Sequence, residues 1–314
     1  MTLDGCAVAP QLSAMKAILL TEYGDVDKLK LSDVPSPKLN AGEVRIKVAA
    51  TSVNPVDFKI RSGVAKAMFP QKFPAILGRD VSGEIVELGE GVTDFKKGDK
   101  VLAFVEHSYC EEVSVKASIV AKVPEGMNLQ DAGVLPLVLT TGAQLVEHTN
   151  VQKGQTILVT GALGPVGRTA LFVAKQRGAK VLAGVRKKDK EKATDLRADG
   201  VVAIDDDAEI KALPQLDGIA DTVGGETIGK LLAHVKAGGT IGSVLGPVEA
   251  AKGRDVKVSP FGAQPNAKQL QELVEAVARE RFLIPITKRF TLAQIGEAQK
   301  AAEKGAGGKV LITI

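Results

Sequence analysis

The run "TILVTGALGPVGRTALFVAKQRGAKVLAGVRKKDK", from Thr156 to Lys190, constrains the fold more than any other part of the chain. An apolar strand pattern leads into a glycine-rich turn at Gly161, Gly164 and Gly167. A helical stretch follows, and then a second apolar run, "KVLAGV". Strand, glycine turn, helix and strand in that order predict a right-handed βαβ unit on a parallel sheet. In such a unit Gly164 lets the backbone approach a pyrophosphate, and Gly167 permits close helix–sheet packing. The helix N-terminus contributes free N–H groups and a favourable dipole. Pro165 is acceptable in the first turn, although it removes one donor. Ala162 stands where the usual fingerprint has its glycine. The expected dinucleotide contacts are Ala162, Leu163, Gly164, Pro165 and Val166, with Gly184 on the second strand. The plain alternative is an ordinary βα turn without ligand, and the four-part order weighs against it.

The end of the second strand discriminates between dinucleotides. An NAD site usually ends that strand with Asp or Glu, which bonds the ribose 2′-hydroxyl. Here it ends in Arg186, Lys187 and Lys188, with no acid before Asp189. Cations there suit a 2′-phosphate through charge-assisted hydrogen bonds. A merely solvated basic helix start would oppose the helix dipole. The expected cofactor is NADPH, although the acidic run "IDDD" around Asp206 would not help a 2′-phosphate.

A charged helix is expected in "KDKEKATDLRADG", and strand–helix alternation continues through "VVAID", "DGIADTVGG" and "TIGSVLG", which extends the parallel sheet. Ligands in such sheets bind at the carboxyl ends of the strands, so Val244, Leu245 and Gly246 are candidate cofactor contacts. The tail predicts a helix in "NAKQLQELVEAVARERF", a strand near "ITKRFTL", a helix in "AQIGEAQKAAEKG" and a closing strand "KVLITI". Before the glycine turn the texture differs. In "EVRIKVAATSV" Val44, Ile46 and Val48 alternate at period two, and Gly-Glu-Gly and Lys-Gly-Asp turns separate further short strands, so this half is mostly β.

Composition excludes several classes. Of 314 residues, 41 are basic and 37 acidic, and no Lys/Arg run is interleaved with aromatics, so nucleic acid is not an expected partner. No apolar run approaches the ~18–20 residues that span a bilayer. Cys6 and Cys110 lie far apart, and His107, His148 and His234 are scattered, which fits a reducing compartment and no Cys-rich metal module. The start "MTLDGCAVAPQLSA" lacks the features of a signal peptide. Residues 1–14 are expected to be a mobile extension, and the expected address is cytoplasmic.

The stretches "VNPVDFKIRSG", "FPAILGRDVSGEIVELGEGVTDFKKGDKVLAF", "LPLVLTTGAQLV", "VTGALGPVG" and "GGKVLITI" together resemble the medium-chain dehydrogenase/reductase superfamily. Within it, the chain resembles the zinc-free, zeta-crystallin-like quinone oxidoreductases and plant-type alkenal/enone reductases. The resemblance implies an α/β fold: a GroES-like β-rich catalytic domain over 15–136 and 262–314, and a Rossmann doubly wound parallel sheet over 137–261. It also implies a cleft between the domains and a homodimer joined through edge strands, for which "GTIGSVLG" is the candidate edge.

In zinc-containing members, the metal is held by Cys, His and Cys or Asp at positions that match Asn54, Arg79 and Leu137 here. None of these offers thiolate or imidazole. The implied chemistry needs no Lewis acid: hydride transfer from NADPH to a quinone, or to the C=C bond of an α,β-unsaturated carbonyl. Asn54 and Lys59 match positions at the nicotinamide end, and Lys59 suits a stabiliser or proton source for a forming enolate. A surface role for Lys59 and a local turn bond for Asn54 are the simpler readings. A structural Arg79–Asp80 ion pair is expected. Thr141 matches a threonine near the nicotinamide, and Gly308 and Lys309 match a segment that closes over the cofactor. A tyrosine that relatives carry near the adenine is replaced around Asp206. His107 and Tyr109 lie in a shortened loop that can border the substrate pocket. An enoyl-thioester reductase, and a non-catalytic NADPH-binding or sensor protein, remain as alternatives.

Overall fold

The computed structural model describes residues 14–314. The extension expected over residues 1–14 lies outside them, except Ala14, which opens the first strand. The chain forms two compact units, one from residues 14–134, 288–306 and 310–314, the other from 135–287 and 307–309.

The first unit is built from antiparallel strands. β1 (Ala14–Leu20) lies between β2 (Leu29–Pro35) and the two-residue β4 (Ala75–Ile76). The larger sheet takes β3 (Glu43–Val53), β5 (Asp80–Leu88), β6 (Lys100–Phe104) and β8 (Val120–Lys122), with β7 (Glu112–Lys116) also on β3. It continues on the other side of β3 with β16 (Lys309–Thr313) and β15 (Ile286–Thr291). The period-two face of β3 is buried as expected, with Val44, Ile46 and Val48 in one core beside Val81, Ile85 and Val101. Helix α1 (Pro55–Arg61) follows β3 directly, and α2 (Leu129–Ala132) packs on β3 and β5.

The second unit is a six-stranded, wholly parallel sheet. Its strands are β9 (Thr156–Thr160), β10 (Lys180–Val185), β11 (Gly200–Ala203), β12 (Leu216–Asp221), β13 (Val235–Ser243) and β14 (Val256–Pro260). Their order is β11-β10-β9-β12-β13-β14, a doubly wound arrangement whose crossover lies beside β9. Helices α3 (Pro136–His148), α4 (Pro165–Gln176), α5 (Asp207–Lys211), α6 (Gly225–Leu231) and α7 (Ala267–Glu280) belong to this unit, and α8 (Ile295–Glu303) belongs to the first.

Three local expectations change. The strand of "GTIGSVLG" is β13, and it is not an edge: β14 pairs outside it along Gly239–Ser243. β14 carries only Val256 and Val258 as apolar residues, too short a pattern to announce itself. The second unit runs to Thr287 rather than ending at Phe261. Phe282 stacks on Phe172 of α4 at 4.5 Å, and Gln144 of α3 donates to the Gln264 carbonyl at 2.8 Å, which holds the α7 region there. Finally, the charged segment after β10 is a 3₁₀ run, Lys187–Leu196, whose buried residues are Asp189, Ala193 and Leu196. It has too narrow an apolar stripe for a packed α-helix.

Candidate active site

The glycine turn has the geometry that a pyrophosphate requires. Gly161 leaves β9 at φ +62°, and the Gly164 N–H returns to its carbonyl at 2.8 Å. A Cβ on Gly167 would run into the Gly161 carbonyl oxygen, so only glycine lets α4 start this close to the strand. Gly164 is the N-cap of α4 and has no side chain to cap it. The first-turn N–H groups, less the one that Pro165 lacks, are left for an anion. Leu163, Gly164, Pro165 and Val166 are half-buried at the turn. Ala162 is fully buried, and its N–H donates to the Gly184 carbonyl at 3.1 Å. Gly184 is itself buried, with room denied to a Cβ by Ile204 and the Val159 carbonyl. These two positions shape the turn from within.

A buried polar cluster beneath the turn had no local signal. The Asp221 carboxylate, at the end of β12, accepts from Thr160 Oγ1 at 2.8 Å and Ser243 Oγ at 3.1 Å. It also accepts from the N–H groups of Val223 and Gly224. Thr222 Oγ1 donates to the Thr160 carbonyl at 2.7 Å. One carboxylate thus ties together the carboxyl ends of β9, β12 and β13. Just beyond it, Val223 and Leu245 are 43% and 48% exposed, two apolar side chains at the strand ends where a ligand ring can lie. Val244 is half-buried with its N–H on the Asp221 carbonyl, and Gly246 turns at φ +98°.

Past β10, Arg186 and Lys187 are exposed but engaged. Arg186 makes two contacts with Asp189, at 2.8 and 2.7 Å. The Lys187 ammonium lies 2.6 Å from Asp206, and its N–H donates to Asp205 at 2.7 Å. Pairing with Asp206 raises the Lys187 pKa and lowers that of Asp206. Thr141 is half-buried on α3, beside Gly142, which packs on Thr169 of α4. Lys309 is buried, and its N–H donates to the Pro285 carbonyl at 2.7 Å. Gly308 lies so near that carbonyl that no Cβ fits.

In the first unit, Pro55 fixes the first turn of α1, with Asn54 as N-cap. Asn54 is buried; its N–H donates to Asp57 at 2.7 Å and its Nδ2 to Asp80 at 2.8 Å. Ser52 also donates to Asp80. The expected Arg79–Asp80 pair does not form. Arg79 precedes β5, and its guanidinium reaches Glu106 at 3.0 Å and lies over the Phe69 ring. Lys59 is exposed on the last turn of α1, with no side-chain partner among the described residues. Tyr109 Oη donates to Asp57 at 2.9 Å with both side chains buried, a pairing without a local sequence signal. Burial lifts the Asp57 carboxyl from 3.8 to about 6 and pushes the Tyr109 phenol up as well. Asp57, Phe69, Arg79 and His107 line a cavity of about 230 Å³ in this unit. His107 borders it with its ring on the Ile76 carbonyl, whereas Tyr109 stands behind Asp57.

Two family models match the chain: an alcohol dehydrogenase GroES-like domain over residues 40–147, and a zinc-binding dehydrogenase domain over 192–312. An NADPH-dependent alkenal/one oxidoreductase of Arabidopsis thaliana is 34% identical over 95% of this chain and 79% of its own. A 2-methylene-furan-3-one reductase of Solanum lycopersicum is 33% identical over 96% and 79%. The quinone oxidoreductase of Coxiella burnetii superposes with a TM-score of 0.86 at 29% identity, covering 96% of this chain and all of that one. Fold and site thus define a two-part oxidoreductase with a GroES-like unit and a Rossmann sheet. The chain belongs to the medium-chain dehydrogenase/reductase superfamily, in its quinone oxidoreductase and alkenal reductase branch.

Among the described residues no helix is long and apolar enough to cross a membrane.

Proposed function

We propose that the protein is an NADPH-dependent, metal-independent reductase of quinones or of the C=C bond of α,β-unsaturated carbonyls. The observation that carries this reading is the Gly161–Gly167 turn opening α4 over the Asp221 cluster, followed by a basic strand end. It is supported by relatives named as an alkenal/one oxidoreductase and a furanone reductase. When bound, the reduced nicotinamide supplies a hydride.

The residues of this chain do the rest. The first-turn N–H groups of α4 take the pyrophosphate, with Thr141, Val244 to Gly246, Gly308 and Lys309 holding the rest of the dinucleotide. Arg186 and Lys187 recognise the 2′-phosphate. The Lys59 ammonium, without a side-chain partner among the described residues, stabilises the oxyanion that develops on the substrate, and Asn54, held by Asp57 and Asp80, is the second catalytic candidate. At the positions where zinc relatives carry their ligands, an amide, a guanidinium and an aliphatic chain supply no donor set that zinc prefers. The small-molecule substrate, a cytoplasmic address and a homodimer complete the proposal.

The test follows the loss of reduced-nicotinamide absorbance with quinones, 2-alkenals, enones and enoyl thioesters. Oxidation with a free quinone or enone is the expected result; oxidation with thioesters alone would move the protein to an enoyl-thioester reductase.

A further inference from the structure

The cationic end of β10 is balanced by acids. Arg186, Lys187 and Lys188 stand next to Asp189, Asp205 and Asp206, three charges of each sign. Only Lys188 has no side-chain partner among the described residues. Asp189 serves both Arg186 and Lys192, the latter at 2.9 Å.

Asp206 is the fixed member of its pair. Its Oδ1 caps α5, accepting from the N–H groups of Ala208 at 2.9 Å and Glu209 at 3.2 Å, while Oδ2 holds the Lys187 ammonium. Its side chain is 17% exposed, against 69% for Lys187. The backbone beside it is pinned as well, because Asp205 accepts the Lys187 N–H. The carboxylate therefore stays in place while the flexible lysine can swing away.

We propose that Asp206 is a specificity-determining residue: its carboxylate competes with a nucleotide 2′-phosphate for the Lys187 ammonium and so keeps the site open to both NADPH and NADH. This rests on the dinucleotide reading above. A 2′-phosphate carries nearly two negative charges, so a carboxylate one ion-pair length from its cation opposes it, whereas a 2′-hydroxyl is indifferent to that charge.

The test measures dissociation constants of NADPH and NADH by nicotinamide fluorescence, at low salt, on the full chain. Asp206→Asn keeps an N-cap acceptor for α5 and removes the charge. It is expected to tighten NADPH about fivefold to tenfold and to change NADH less than about twofold. Lys187→Met is expected to weaken NADPH alone, and in the Lys187→Met background Asp206→Asn loses most of its effect. Asp207→Asn removes the same charge from an acid that pairs with Lys230 and is expected to leave the NADPH/NADH ratio unchanged. A ratio unmoved by Asp206→Asn, or moved equally by Asp207→Asn, would overturn the proposal. Binding of neither dinucleotide by the wild type would overturn the cofactor reading itself.

Discussion

Tyr109 donates its phenolic hydrogen to Asp57 across 2.9 Å, between two side chains 52 positions apart that are both closed off from solvent. The same Asp57 oxygen accepts the Asn54 N–H, while Oδ1 has no partner among the described residues. Burial outweighs these two bonds, so the carboxyl titrates at about 6 rather than 3.8. In the interval the folded chain holds a proton that the unfolded chain has released. Stability contributed by this group is therefore lost as pH rises from about 4 to about 6 and is level above that. The full effect is on the order of 3 kcal/mol. Asp57→Asn removes it, so the melting temperature of the variant relative to the wild type should climb between those pH values. A difference that stays constant with pH would contradict the assignment.

Gly167→Ala should damage both stability and binding. Its Cβ meets a backbone carbonyl, which cannot rotate aside as a side chain can. A cost of about 1–3 kcal/mol is expected from such overpacking, together with weaker NADPH binding. Thermal melting and fluorescence titration read the two effects separately.

The parallel sheet was legible because buried strands read as short apolar runs and the glycine turn is a local signal. What could not be read comes from residues distant in sequence. Asp221 meets Thr160 across 61 positions, and nothing in "DGIADTVGG" says that its acid is interior. Tyr109 looked like a loop residue until the fold placed it behind Asp57. The Arg79–Asp80 pair failed because other partners win: Ser52 and Asn54 donate to Asp80, and Arg79 pairs with Glu106. The acids facing Arg186 and Lys187 are half legible: "IDDD" announces the charge, but not that Asp206 caps α5 and holds Lys187 at once.

Lys59→Ala separates catalysis from stability. The side chain is exposed and unpartnered among the described residues, so the change in stability should stay within about 0.5 kcal/mol. If its ammonium supports the developing oxyanion or supplies a proton, kcat falls by about a hundredfold or more while NADPH binding holds. Unchanged turnover would return Lys59 to the solvated surface.

The buried Cys110 thiol, pushed up to about 12 by its burial, should resist alkylation in the folded chain. In a Cys6→Ser background, modification is expected only on unfolding; rapid labelling of the native protein would show the region to be open.

The most direct test of the central claim is the steady-state rate of NADPH oxidation across free quinones, 2-alkenals and enones. Turnover with at least one of them is the predicted result. Tight NADPH binding without oxidation by any member of the panel would contradict the account and leave a dinucleotide-binding protein with no reductase activity.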